Sequence, residues 1–149
     1  MKWILALVGL AILGGMAWVR IAPSAAEHWH VDPASVTPPK TRNFALLVPG
    51  SKHEAPEFPM DANALASAFD AMILTNRRAS RLAGGPEDLW ATYVVRTRYL
   101  RFPDYVSVKF LDLGNGNSTL AIFSRARFGF GDGGLNRARV KAWMKRLAG

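Results

Sequence analysis

The spacing of hydrophobic and polar positions changes several times along the chain, and each change marks an element. Trp3 to Val19 is an unbroken run of apolar or small residues, WILALVGLAILGGMAWV. A helix over residues 3–22 would be about 30 Å long at ~1.5 Å per residue, close to the hydrocarbon thickness of a bilayer. Trp3 and Trp18 fall near its two ends, where amphipathic rings favour the interface, and Arg20 can carry its charge outward. Pro23 stops the helix. Residues 1–22 therefore read as an N-terminal transmembrane anchor. A signal sequence is the competing reading, because Ser24-Ala25-Ala26 supplies small residues for cleavage. The first predicts a single-pass membrane protein with a periplasmic domain, the second a protein secreted to the periplasm. The two-residue tail ahead of the apolar run favours an inside N-terminus, although Lys2 and Arg20 nearly cancel in the count of flanking charge.

Residues 23–60 hold seven of the nine prolines and show no sustained period. They read as an extended linker that wraps the domain, with one short strand over residues 43–48. Residues 61–149 read as an α+β domain. Asp61 is a good N-cap, and Leu65, Phe69, Met72 and Ile73 then recur on one helical face until Thr75-Asn76. Strands are expected over residues 78–83 and 89–100, with a turn at Gly84-Gly85-Pro86 between them and another at Pro103-Asp104. In residues 105–111, Val106, Val108 and Phe110 alternate with Tyr105, Ser107 and Lys109, which is strand periodicity with one apolar face. Gly114-Asn115-Gly116 reads as a three-residue hairpin loop leading into a strand over residues 118–128. Pairing Phe110 with Leu120 puts Val108 opposite Ile122, and sends Tyr105, Lys109, Phe123, Arg125 and Arg127 to the other face. A helix follows from about Gly134 to Leu147, with Val140, Trp143, Met144 and Leu147 as its apolar stripe. The fold class is thus an antiparallel sheet of four or five strands with two helices packed on one face, preceded by the N-terminal membrane helix.

Charge changes the picture, because it is uneven. Residues 1–76 carry five basic groups against six acids, and residues 77–149 carry fourteen against five. A basic C-terminal half favours anionic partners: lipid head groups, an acidic glycan, phosphate compounds or nucleic acid. Nucleic acid is disfavoured by the expected position beyond the membrane. The absence of cysteine excludes disulfides, thiolate metal sites and a lipoprotein anchor.

Candidate chemistry concentrates in residues 124–139, SRARFGFGDGGLNRAR, where a strand enters a glycine-rich loop that opens a basic helix. Free amides at the helix start, flanked by Arg125, Arg127 and Arg139, could hold an anion. Alternatively Asp132 caps the helix and pairs with Arg125 or Arg127, with Gly134 and Asn136 completing a structural corner. The stretch lacks the Lys-Ser/Thr ending of a phosphate-binding loop, so no nucleotide or other cofactor is implied. His28, His30 and Asp32 share one face if extended, but with His53 as the only other histidine no metal site is expected; the better reading packs Trp29 on the domain and leaves the imidazoles solvated. No nucleophile elbow is present.

The stretch Ser124, Arg125, Arg127, Gly129, Asp132, Gly134, Asn136, Arg137 and Arg139 resembles the Ser-Arg-Ser-Arg-x-Gly-x-x-Asp-x-Gly-x-Asn-Arg-x-Arg signature of the domain-of-unknown-function family 1499 of bacteria and plastids. Ala126 stands where that family usually has Ser. Residues 102–106 and 29–33 also look like family segments, so the resemblance covers residues 29–148. It implies a shared fold and carries no assigned activity. The functional expectation is a membrane-anchored envelope domain, non-enzymatic, that binds an anionic or amphiphilic envelope component or a partner protein. The alternative is an envelope enzyme acting on a phosphate- or carboxylate-bearing substrate at the glycine-rich corner.

Overall fold

The computed structural model describes residues 1–149. Helix α1 (Lys2–Ile21) is long and apolar enough to cross a membrane and buries none of its residues, so it is not a core helix of the domain. A single turn, α2 (Ala26–Trp29), follows, and then β1 (Phe44–Leu47), α3 (Ala62–Leu74), β2 (Ala79–Gly85), β3 (Trp90–Arg96), β4 (Pro103–Gly114), β5 (Asn117–Ala126) and α4 (Leu135–Leu147). The five strands form one antiparallel sheet in the order β1-β5-β4-β3-β2. The α+β class and the antiparallel sheet are as the periodicity predicts.

The core lies between one sheet face and the two helices. Leu65, Phe69, Met72 and Ile73 of α3 and Val140 and Met144 of α4 pack on Tyr93, Val95, Val106, Val108, Phe110, Leu120 and Ile122. The predicted register holds, with Phe110 opposite Leu120 and Val108 opposite Ile122. Asp61 caps α3 through a bond from the Ala64 amide at 2.8 Å.

Element boundaries differ from expectation most at three turns, and β5 also ends at Ala126 instead of Phe128. β3 stops at Arg96 instead of running to Leu100, and the turn lies at 97–102, not at Pro103-Asp104. Thr97 and Phe102 close this loop: the Thr97 amide donates to the Phe102 carbonyl, and the Phe102 amide to Thr97 Oγ1, both at 2.9 Å. Pro103 then opens β4, the strand position where a missing N–H is tolerated. Gly84 and Gly85 stay in β2, and the turn is made by Pro86–Asp88. Gly84 has φ +64, and a Cβ there would meet the Trp90 carbonyl oxygen at 2.1 Å, so the residue serves close strand approach. The β4–β5 connection is the two-residue turn Asn115-Gly116, with φ of +54 and +77 as the right-handed strand twist prefers, and a bulge between Asp112 and Gly114 absorbs the third residue.

The opposite sheet face is covered by the chain that leaves α1. Trp29 stacks on Tyr105 with ring centroids 3.7 Å apart, and His30 stacks on Trp90 at 3.9 Å. Ser107 Oγ donates to the Trp29 carbonyl, Thr92 bonds both Ser107 and His30 Nδ1, and Lys109 forms an ion pair with Asp32. Trp29 therefore packs on the domain as expected. His30, expected to be solvated, instead joins the packed face, because Thr92 and Trp90 offer it both a hydrogen bond and a ring to stack on.

Candidate functional site at the strand-to-helix corner

β5 ends at Ala126, and residues 127–134 carry the chain into α4. Alternation along β5 decides what the corner contains. Even-numbered positions from Leu120 to Ser124 point toward the helices, and odd-numbered ones toward the segment after α1. Ser124 is thereby placed against α4, where its hydroxyl donates to Asn136 Oδ1 at 2.5 Å. Asn136 is completely buried. Its side-chain amide donates to Asp132 Oδ2 at 2.7 Å and to the Asn43 carbonyl at 3.4 Å, while Asn43 in turn donates to the Gly129 carbonyl at 2.6 Å. One residue from the edge of the sheet and one from α4 thus hold the glycine-rich loop.

Asp132 caps α4 from two positions before Gly134, the residue at the formal N-cap. Its Oδ1 accepts the Gly134 amide at 2.9 Å and its Oδ2 the Asn136 amide at 2.8 Å. Asp132 forms no ion pair with Arg125 or Arg127. Burial alone would raise its carboxyl, but the donors from Asn136 and Gly134 outweigh burial and hold it below its ordinary value of 3.8. Such a group contributes stability that is present above pH 3.8 and is lost as the pH falls through the folded-state value. Asp132→Ala is expected to lose about 0.5–2 kcal/mol at neutral pH. Asp132→Asn should fall between wild type and Ala, since an amide offers one acceptor oxygen where the corner uses two. Urea titrations at neutral pH and below pH 3.8 check both points: the gap between wild type and Asp132→Ala should narrow in acid.

Arg139 of α4 forms an ion pair with Asp104 at the start of β4, at 2.8 Å, and also donates to Asn136 Oδ1 at 3.1 Å. Burial pushes the Asp104 carboxyl above its ordinary value. Arg139 opposes this by charge and hydrogen bond, while the nearby Asp132 charge adds to it. Asp104 and Asp132 flank a cavity of about 380 Å³ between the 97–103 loop and the glycine-rich loop. Its wall is mostly apolar, with Leu100, Phe102, Pro103, Phe128 and Leu135, and Arg98 adds a cation.

Arg125 and Arg127 come together on the opposite sheet face, away from Arg139. Arg125 is buried, donates to the Trp29 carbonyl at 2.8 Å, and lies over the rings of Phe123 and Trp29 at 4.5 and 5.2 Å. Burial lowers its guanidinium to about 10. Arg127 donates to the carbonyls of Pro23 and Ala22, at 2.8 and 3.4 Å, and to the Tyr105 hydroxyl at 3.2 Å. Neither arginine has a carboxylate partner. Both instead hold the chain that leaves α1, and Arg127 sits at the carbonyl end of that helix, where a cation is favoured. Arg96 shares this face, since Val94, Tyr105 and Arg125 lie opposite one another across β3, β4 and β5.

Sequence reasoning missed Asp104 as the partner of Arg139. It also missed the bond at 3.0 Å from Arg20 Nε to the Leu100 carbonyl, which joins the end of α1 to the cavity loop. In the sequence Asp104 reads as a turn residue, and a separation of 35 residues from Arg139 leaves no local pattern that pairs them. No group of three His, Asp or Glu side chains converges as a metal site would require.

No curated protein and no solved structure is found to match this chain. A family model described as "Protein of unknown function (DUF1499)" matches residues 30–147, a span that takes in all five strands, both packed helices, the cavity and the arginine face. The chain belongs to the DUF1499 family.

Proposed function

We propose that this chain is a membrane-anchored domain of the cell envelope, on the periplasmic side, that binds an anionic or amphiphilic envelope component in the corner cavity. The observation that carries the reading is the cavity's position. The loop that forms one wall is bonded through Leu100 to Arg20, one residue from the end of the apolar helix. An apolar wall with a cation near it suits a molecule with a hydrocarbon part and an anionic head. The alternative, an enzyme acting on a phosphate- or carboxylate-bearing substrate, needs a free base or nucleophile there. Both carboxylates of the cavity are engaged, Asp104 by Arg139 and Asp132 by the amides of α4, which favours binding over catalysis.

The test is extraction of the full chain from membranes in mild detergent, followed by mass spectrometry of what travels with it. Leu135→Trp fills the cavity from a position exposed enough to tolerate the larger ring. A lipid or lipid-linked anion should accompany the wild type and fall at least about fivefold in the variant. Equal recovery from both, or none from the wild type, would reject the reading.

A further inference from the structure

We infer that the rim of the corner cavity is a second membrane-contact surface beside α1, seated in the head-group layer of an anionic phospholipid bilayer. This deepens the cavity reading and rests on α1 being a retained anchor. Large apolar side chains are exposed on both sides of the cavity: Tyr99 is 79% and Leu100 43% exposed on one loop, Phe130 88% on the other, and Leu135 43% at the start of α4. Scattered exposed apolar residues are ordinary, but Tyr99, Leu100 and Leu135 line one opening, and Phe130 adjoins Gly131 of the same lining.

The charge on this rim is net positive. Arg98 lies over the Tyr99 ring at 5.5 Å, and Arg101 follows in the same loop. The acids nearby are Asp104, ion-paired with Arg139, and Asp132, bonded to amides. Aromatic rings and arginines interleaved on exposed loops suit the interfacial zone of a bilayer, where rings sit at head-group level and cations meet phosphate.

The depth of the rim follows from its tether. A 20-residue α1 is about as long as the hydrocarbon layer is thick, so residues 18–21 lie at one interface when Lys2 lies at the other. The bond from Arg20 to Leu100 holds the 97–102 loop at that level. Arg127, bonded to the Ala22 and Pro23 carbonyls, holds the base of the glycine-rich loop there too. The domain is thus fixed with its cavity mouth against the bilayer, and an amphiphile would enter from the lipid rather than from water.

The chain has no cysteine, so single labelling sites can be introduced without removing any. Tyr99→Cys and Phe130→Cys probe the two loops separately, and Lys52→Cys, in an exposed loop far from the corner, serves as reference. Each full-length variant carries a polarity-sensitive fluorophore and is placed in phosphatidylcholine vesicles with or without phosphatidylglycerol. A nitroxide near the head group of a tracer lipid acts as quencher. Labels at 99 and 130 should be blue-shifted and quenched at least about threefold more than the label at 52, with the difference growing when phosphatidylglycerol is present. Quenching no greater than at 52 for both sites overturns the inference, and quenching indifferent to phosphatidylglycerol overturns its anionic part. Rim labels in water while an amphiphile still accompanies the wild type would reject the rim and leave the cavity reading intact. Rim labels in lipid with no accompanying amphiphile would do the reverse.

Discussion

Phe69→Ala should destabilise the domain by about 3–5 kcal/mol, the usual cost of truncating a fully buried aromatic ring. Phe69 has no exposed surface and sits where four elements meet. Its ring lies 5.9 Å from Tyr93 of β3, 5.7 Å from Phe110 of β4 and 5.7 Å from Trp143 of α4. The contacts are tilted or edge-on, which the aromatic quadrupole favours over face-to-face stacking. Replacing the ring by a methyl group leaves a void among three other rings, which are too rigid to collapse into it. Phe69→Leu should cost much less, because it keeps most of the volume. A urea titration of the full chain in detergent, followed by near-ultraviolet circular dichroism, measures both. A midpoint for Phe69→Ala equal to that of the wild type would show that α3 does not seat this ring in the core.

That prediction could be made from the sequence, because the stripe Leu65, Phe69, Met72, Ile73 is a local pattern with a single helical solution. The β4–β5 register was legible for the same reason. Two alternating runs joined by a tight turn agree in only one pairing that keeps Phe110, Val108, Leu120 and Ile122 on one face. The far end of β3 was not legible. Thr97, Tyr99 and Leu100 have strand-like side chains, yet the chain leaves the sheet at Arg96 because Thr97 and Phe102 bond each other across a loop. Intrinsic strand preference was overridden there by two hydrogen bonds and by Pro103 having to begin a strand rather than interrupt one.

The covered face shows the limit more sharply. Alternation placed Arg125 and Arg127 together on the face away from the core. Their partners, the carbonyls of Trp29, Pro23 and Ala22, lie about a hundred residues earlier and are backbone groups with no side-chain signature. Arg139 looked like a third member of the same cluster because it is close in sequence. It belongs to α4, on the other side of the sheet, where Asp104 neutralises it. Proximity along the chain was a poor guide at this corner because a strand alternates sides at every residue, while a helix returns to a face only every three or four.

Asn136→Ala should cost about 2–4 kcal/mol, more than Asp132→Ala. The estimate takes roughly 1 kcal/mol for the one bond whose partner finds no substitute and adds the penalty of about 1–3 kcal/mol for that buried polar group left unpaired. Asn136 Oδ1 accepts from Ser124 and Arg139, and its amide donates to Asp132 and Asn43. With alanine there, Arg139 keeps Asp104, Asn43 keeps the Ala126 amide, and Asp132 keeps the two backbone amides. The Ser124 hydroxyl, fully buried, loses its acceptor. Because Asn136 and Asp132 bond directly, the double variant should cost less than the sum of the two singles, with a coupling of about 0.5–3 kcal/mol. Strict additivity in urea titrations of the four proteins would show that the pair does not act as a unit. Asn136→Asp separates charge from shape. At neutral pH it sets a third carboxylate beside Asp132 and Asp104, so it should be at least as damaging as alanine despite its nearly identical size. Acid should restore part of the loss, since a protonated carboxyl can donate to Asp132 as the amide does. An Asn136→Asp protein as stable as the wild type at neutral pH would mean that the corner is open to water, and that the loop forming one wall of the cavity is not held by this residue.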